Sequence, residues 1–318
     1  MGVTEEKTPE HTVSSFIIGF IINAMIVSLS APSTIIQIIL QTQDLYIFRS
    51  EQQYSGMLDA ITRIREEQGF LAFWTGNTIF CLRYIPYQLL QILIGDKIKQ
   101  YFNQKVSKKN YLGYILGLML ILSLIESIIL FFVYPFDVVY SHIAADVGAG
   151  SQAEFQGALD CFTDIMSRGG LQLLYEGFEI AVLCTIVTQI SFVIIEQILG
   201  KLSSYHDALA KKNLSSVAYL LATYVSYPLD TMNKRMIMNM RKTERPLKSS
   251  IEKGIMLFLR GSLMNSVRVM IKNMGTSIRE KLQEQSAQSV KKVEQIKKIL
   301  STIPKDTFLE SDETDLIL

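Results

Sequence analysis

A few ionisable residues stand in otherwise apolar chain. Glu126 interrupts the run 112–136, Arg83 lies within 77–98, and Arg260 and Arg268 lie within 255–279. A charge at membrane depth is costly, so it normally faces a bundle interior or a wet cavity, where it pairs or binds an ion. Arginines there suit an anion. For Glu126 two readings stay open: a proton site, or an acid facing a basic partner helix. Elsewhere the sequence holds no nucleophile–base set, metal cluster or phosphate loop, so we expect neither an enzyme nor a metal site.

The elements around these residues read as membrane helices. The chain has 318 residues, 49% hydrophobic, with a mean hydropathy of +0.25. The segment 16–40 carries no charge, and its length spans a hydrocarbon core of roughly 30 Å. With 112–136 and four less pure segments at 77–98, 178–199, 214–240 and 255–279, six membrane helices are expected. A net charge of +1 gives no support to a nucleic-acid partner. Cys81, Cys161 and Cys184 have no zinc spacing and read as free thiols. The first residues are polar and contain acids, so any targeting signal is expected in the mature chain. Loop charge does not orient the bundle: 232–256 is basic, whereas 41–75 and 140–176 are acidic.

A repeat organises these segments. Pro32, Pro135 and Pro228 each stand late in an odd-numbered segment, 103 and 93 residues apart. Two glycines seven apart follow each one: Gly69 and Gly76, Gly170 and Gly177, Gly254 and Gly261. An ordered proline–glycine–glycine set at near-constant period marks three copies of one unit. Each proline removes a backbone bond and bends its helix, so three bent helices converge at one end. Residues 54–67 then form an amphipathic surface helix with Met57, Ile61 and Ile64 on one stripe. The glycines mark its end and the entry to the next membrane helix. From proline to first glycine the third repeat has 26 residues against 37 and 35, so its surface helix is expected to be truncated or remodelled.

The stretches APSTIIQIILQTQ, EQGFLAFWTGN, RYIPYQ, YPFDVVYSHIAADVG, EFQGALDCF, LYEGF and SYPLDTMNKRMIM resemble the mitochondrial carrier family, and within it the ADP/ATP carriers. The resemblance covers roughly 12–282. It implies an all-α membrane fold of six transmembrane helices in three pseudo-symmetric repeats, in the mitochondrial inner membrane. Short helices would lie on the matrix side, and a central site would alternate between the two faces. We divide the chain at 1–106, 107–207 and a shortened 208–282, with a tail at 283–318. The resemblance implies no cofactor, though phospholipid such as cardiolipin would contact the bundle.

Departures from the family pattern carry the functional expectation. The matrix gate is Pro-x-acid-x-x-base on each odd helix. Here the base positions hold Gln37, Tyr140 and Asn233, and only the acids Asp137 and Asp230 remain. No salt bridge can join these motif positions, so both acids are expected to find other partners in Lys234, Arg235 or His142, or to be protonated. At the opposite gate Asp96 and Lys99 are complete, while Glu196 and Glu280 have lost their bases to Leu199 and Gln283. The resemblance matches Arg83 and Arg268 to substrate-binding arginines. The first-helix lysine is Val27, and the fourth-helix Tyr-Arg is Thr188-Gln189. An alternative has Arg83 and Arg268 paired with Glu126 or glutamines. The third helix is also bulky where small residues would let neighbours slide.

Beyond Lys281 lies a tail with Ala287, Val290, Val293, Ile296 and Leu300 at helical spacing among lysines, then an acidic end. It reads as a membrane-surface helix or as a docking segment for another membrane subunit. With fold-shaping residues kept and moving charges lost, the expectation is a transport-impaired structural or accessory subunit of a larger respiratory-chain type complex. The alternative is an active exchanger of ADP/ATP or another anion.

Overall fold

The computed structural model describes residues 9–45, 53–105, 111–147, 155–202, 208–238 and 261–302. Its regular elements are all helical: α1 (Pro9–Thr42), α2 (Met57–Gln68), α3 (Asn77–Leu82), α4 (Tyr84–Leu90), α5 (Asp96–Lys105), α6 (Tyr111–Asp146), α7 (Ala158–Leu174), α8 (Phe178–Leu202), α9 (Ala208–Met238) and α10 (Ser262–Thr302). A π-turn, Gln91–Gly95, joins α4 to α5, so α3 to α5 make one membrane segment. With α1, α6, α8, α9 and α10 this gives the six expected spans. Among the described residues, four are apolar enough to cross a bilayer by composition alone: Ile17–Thr42, Phe70–Phe102, Gly113–Asp146 and Phe178–Lys201. The last pair, α9 and α10, is as long but more polar.

By its contacts the chain divides into a body, Phe20–Asn273, and a second group formed by Met1–Gly19 and Met274–Leu318. Each odd helix carries its proline internally: Pro32 in α1, Pro135 in α6 and Pro228 in α9. Pro86 has no N–H to offer the carbonyl of Leu82, and the α3–α4 break falls at Arg83. The side of α6 bearing Leu116, Leu120, Leu124 and Ile128 is exposed, as a lipid-facing stripe must be, while Ile125, Ile129 and Val133 are buried.

The surface helix expected at 54–67 is α2, starting at Met57 and burying Ala60 and Ile64. Gly69 caps its end and Gly76 opens α3, both at positive φ. Gly170, Gly177 and Gly261 share that conformation. Gly254, Arg260 and the third surface helix lie outside the described residues.

The second glycines also make a cyclic contact that no pattern count contains. A Cβ on Gly76 would meet Tyr140 at 3.3 Å, one on Gly177 would meet Asn233 at 3.0 Å, and one on Gly261 would meet the backbone of Gln37 at 3.3 Å. These are the three base positions of the proline motifs, each supplied by the next repeat around the ring. Glycine is required there both for its backbone and for its missing side chain.

Candidate functional site at the proline end and cavity

The site starts from the proline turns. On α1, Ser30, Ser33 and Thr34 satisfy themselves on backbone carbonyls one turn back, leaving Gln37 and Gln41 to face the bundle. Gln37 Nε2 donates to Asp230 Oδ2 at 3.1 Å, and Gln41 Nε2 donates to the same oxygen at 3.2 Å and to Thr231 Oγ1 at 3.0 Å. The first and third repeats are therefore tied through a neutral donor at a base position and a surviving acid. Asn233 accepts a hydrogen bond from Tyr134 Oη at 2.9 Å, and the same hydroxyl lies 2.7 Å from the carbonyl of Glu176. Tyr140 stacks on Phe80, with ring centroids 4.7 Å apart.

Asp137 takes a partner from outside the motif. Its Oδ1 lies 2.7 Å from Arg83 Nε, joining the second helix of repeat one to the first helix of repeat two. This corrects the expected partners. Lys234 instead donates to Ser141 Oγ at 2.8 Å, one turn beyond Asp137 on α6. Arg235, 0% exposed, donates to the Gln41 carbonyl at 3.2 Å. His142 packs edge-on against Phe155. Lys234 and Arg235 follow Asp230 by one helical turn and reach across to α6 and α1. Asp230 likewise accepts from the two glutamines. Among the described residues, one ion pair and a set of amide and hydroxyl bonds join the repeats at the proline end.

Of the cavity residues, Arg83 is committed to Asp137, and Arg268 Nη2 donates to Asn265 Oδ1 at 2.5 Å. Among the described residues neither pairs with Glu126 or a glutamine. The reason is reach: Tyr87, one turn along from Arg83, takes Glu126, with its hydroxyl 3.4 and 3.5 Å from the two carboxylate oxygens. Thr188 Oγ1 lies 2.7 Å from both the Cys184 carbonyl and Ser226 Oγ, while Gln189 is half-buried on α8. At the other gate Asp96 is exposed, and among the described residues no ion pair joins it to Lys99. Glu196 accepts from Ser215 Oγ. The side chain of Glu280 is outside the described residues. Sequence reading missed Gln41, Tyr87, Tyr134 and Ser141; only the Gln37–Gln41 spacing, one turn apart, signalled itself.

Six membrane helices with kinking prolines inside α1, α6 and α9 and cross-repeat glycine contacts define a carrier fold. The family described as mitochondrial carrier protein matches residues 8–106 and 119–206, and the chain belongs to that family. It is similar to the mitochondrial substrate carrier family protein ancA of Dictyostelium discoideum, 30% identical over 277 residues, which are 81% of this chain and 90% of that protein. It is also similar to two Bos taurus proteins: ADP/ATP translocase 3, 34% identical over 70% of this chain and 77% of its own length, and ADP/ATP translocase 2, 31% identical over 80% and 91%. The chain is therefore a mitochondrial carrier related to the ADP/ATP translocases.

Proposed function

We propose that this chain is a multi-pass inner-membrane protein whose nucleotide exchange is impaired and which serves as a structural or accessory subunit of a larger, respiratory-chain type membrane complex. The observation that carries this reading is the Arg83–Asp137 pair at 2.7 Å: a cation that the resemblance assigns to substrate is spent on a surviving gate acid. Gln37, Tyr140 and Asn233 in place of three bases support it, because alternating access needs two states of similar energy, each held by its own contacts. On this reading the chain is not an enzyme, needs no cofactor and binds membrane lipid. Its repeats run 1–106, 107–207 and 208–282, and the tail 283–318 contacts neighbouring subunits.

A second reading, exchange of ADP/ATP or another anion, is favoured by Arg268, which contacts Asn265 and has no ion pair among the described residues. Reconstitution decides between them. Proteoliposomes loaded with ATP and challenged with labelled ADP are expected to show no exchange above empty liposomes. Isolation from mitochondria in mild detergent is expected to yield an assembly well above 36 kDa. Carrier-like exchange by a lone chain would sink the subunit reading.

A further inference from the structure

The even-numbered membrane helices begin just after the second glycines, with α3, α8 and α10. The eleventh residue after each glycine therefore falls at one place in the repeat: Tyr87 after Gly76, Thr188 after Gly177 and Lys272 after Gly261. At 1.5 Å per residue that place lies about 15 Å into the helix, half-way across a hydrocarbon core of roughly 30 Å. Two of the three residues carry a hydroxyl, and each hydroxyl reaches the odd helix of the following repeat. Thr188 Oγ1 on α8 lies 2.7 Å from Ser226 Oγ on α9. Tyr87 Oη on α4 lies 3.4 and 3.5 Å from the two carboxylate oxygens of Glu126 on α6. Lys272, in the third repeat, is exposed.

Each of these contacts crosses a boundary that is already tied near the prolines. Tyr134 on α6 and Asn233 on α9 join the second and third repeats at 2.9 Å, and Arg83 and Asp137 join the first and second at 2.7 Å. Seven residues of α9 separate Ser226 from Asn233, and eleven of α6 separate Glu126 from Asp137, about 10 and 16 Å of helix. A boundary held at one level can hinge there, whereas one held at two separated levels moves only when a bond breaks. The Thr188 contact is also more than local satisfaction. Thr185, one turn earlier on α8, bonds back to the Ala181 carbonyl at 3.0 Å. Thr188 has the same option, 2.7 Å from the Cys184 carbonyl, and still approaches Ser226. Cys184 lies at the same seam, its Sγ 3.7 Å from the Ser226 carbonyl.

We propose that Thr188–Ser226 and Tyr87–Glu126 are two mid-membrane latches that fasten the second repeat to both of its neighbours. They hold α8 against α9 and α4 against α6, while the ties near the prolines hold the other level, so the three repeats do not rock independently. This rests on the transport-impaired reading and gives it a cause beyond the lost gate charges: two of the three repeat boundaries are fixed at two levels. The boundary between the third and first repeats has Lys272 at the place of the latching hydroxyl.

The test uses the full chain in detergent, its own free thiols as reporters and N-ethylmaleimide as the probe, with the rate at each cysteine read by peptide mass spectrometry. Cys184 reports on the seam between α8 and α9. Cys81 reports on the other boundary, beside Phe80, whose ring stacks on Tyr140 of α6. Thr188→Val is expected to speed modification of Cys184 about threefold and leave Cys81 unchanged; the gain corresponds to about 0.6 kcal/mol, the average worth of an interhelical hydrogen bond in a membrane. Tyr87→Phe is expected to do the converse. Thr185→Val, which removes a hydroxyl bonded to its own helix, is expected to change neither rate. Should Thr188→Val not fold, Ser226→Ala carries the same measurement. A folded variant without the rise at its own reporter, or an equal rise with Thr185→Val, overturns the latches. Nucleotide exchange by the parent chain overturns the transport-impaired reading instead, whatever the thiols show.

Discussion

Arg83 and Asp137 are joined at 2.7 Å across the boundary between the first two repeats, with side chains 27% and 17% exposed. One comes from the cavity set and the other from the gate set, and neither has a motif partner. Arg83→Ala and Asp137→Ala should each cost about 1–3 kcal/mol, less than a fully buried pair because water reaches both groups. A double-mutant cycle by thermal unfolding in detergent should give a coupling of about 1 kcal/mol or more. Strictly additive effects would show that the pair contributes nothing.

Asp230 depends on two glutamines. Gln37→Ala removes one donor and should cost about 1–2 kcal/mol. Gln37→Glu should cost more, since it sets a second carboxylate 1%-exposed against the first. Gln37→Lys restores the family's opposite charge and should melt above Gln37→Glu. Equal melting temperatures for the Lys and Glu variants would refute a charge-sensitive contact at this point.

The ring of glycine contacts separates backbone strain from crowding. Gly69 and Gly261 both have positive φ, 85° and 78°, but only Gly261 has neighbours where a Cβ would go, Tyr227 Oη at 3.0 Å and Gln37 at 3.3 Å. Gly69→Ala should therefore cost about 1–2 kcal/mol from conformation alone. Gly261→Ala should lose clearly more, read as melting temperature or as yield of folded protein. A larger loss at Gly69 would contradict the cross-repeat packing.

Tyr134 holds Asn233 and the Glu176 carbonyl with one hydroxyl. Tyr134→Phe should destabilise by about 1–2 kcal/mol, read as thermal unfolding in detergent. An unchanged melting temperature would show that the hydroxyl contributes nothing to the frame.

Much of the frame was legible in the chain itself. Periodic prolines and glycines are local requirements, a bent helix and a left-handed turn, so their spacing announces them wherever the rest of the fold lies. Pro32, Pro135 and Pro228 duly lie inside α1, α6 and α9, and five of the six paired glycines have positive φ, the sixth lying outside the described residues. The loss of bases at Gln37, Tyr140 and Asn233 was equally plain from residue identity.

Partners were a different matter. Lys234 and Arg235 were near Asp230 in sequence, yet one reaches Ser141 and the other the Gln41 carbonyl, while Asp137 draws Arg83 from more than fifty residues away. Pairing depends on which way a side chain leaves its helix and on what the neighbouring helix presents there. The sequence by itself determined which charges this carrier keeps and where its helices bend. Only the packed bundle decided which charges meet, because the energy of a charge in a membrane interior is set by the few ångströms around it rather than by its place along the chain.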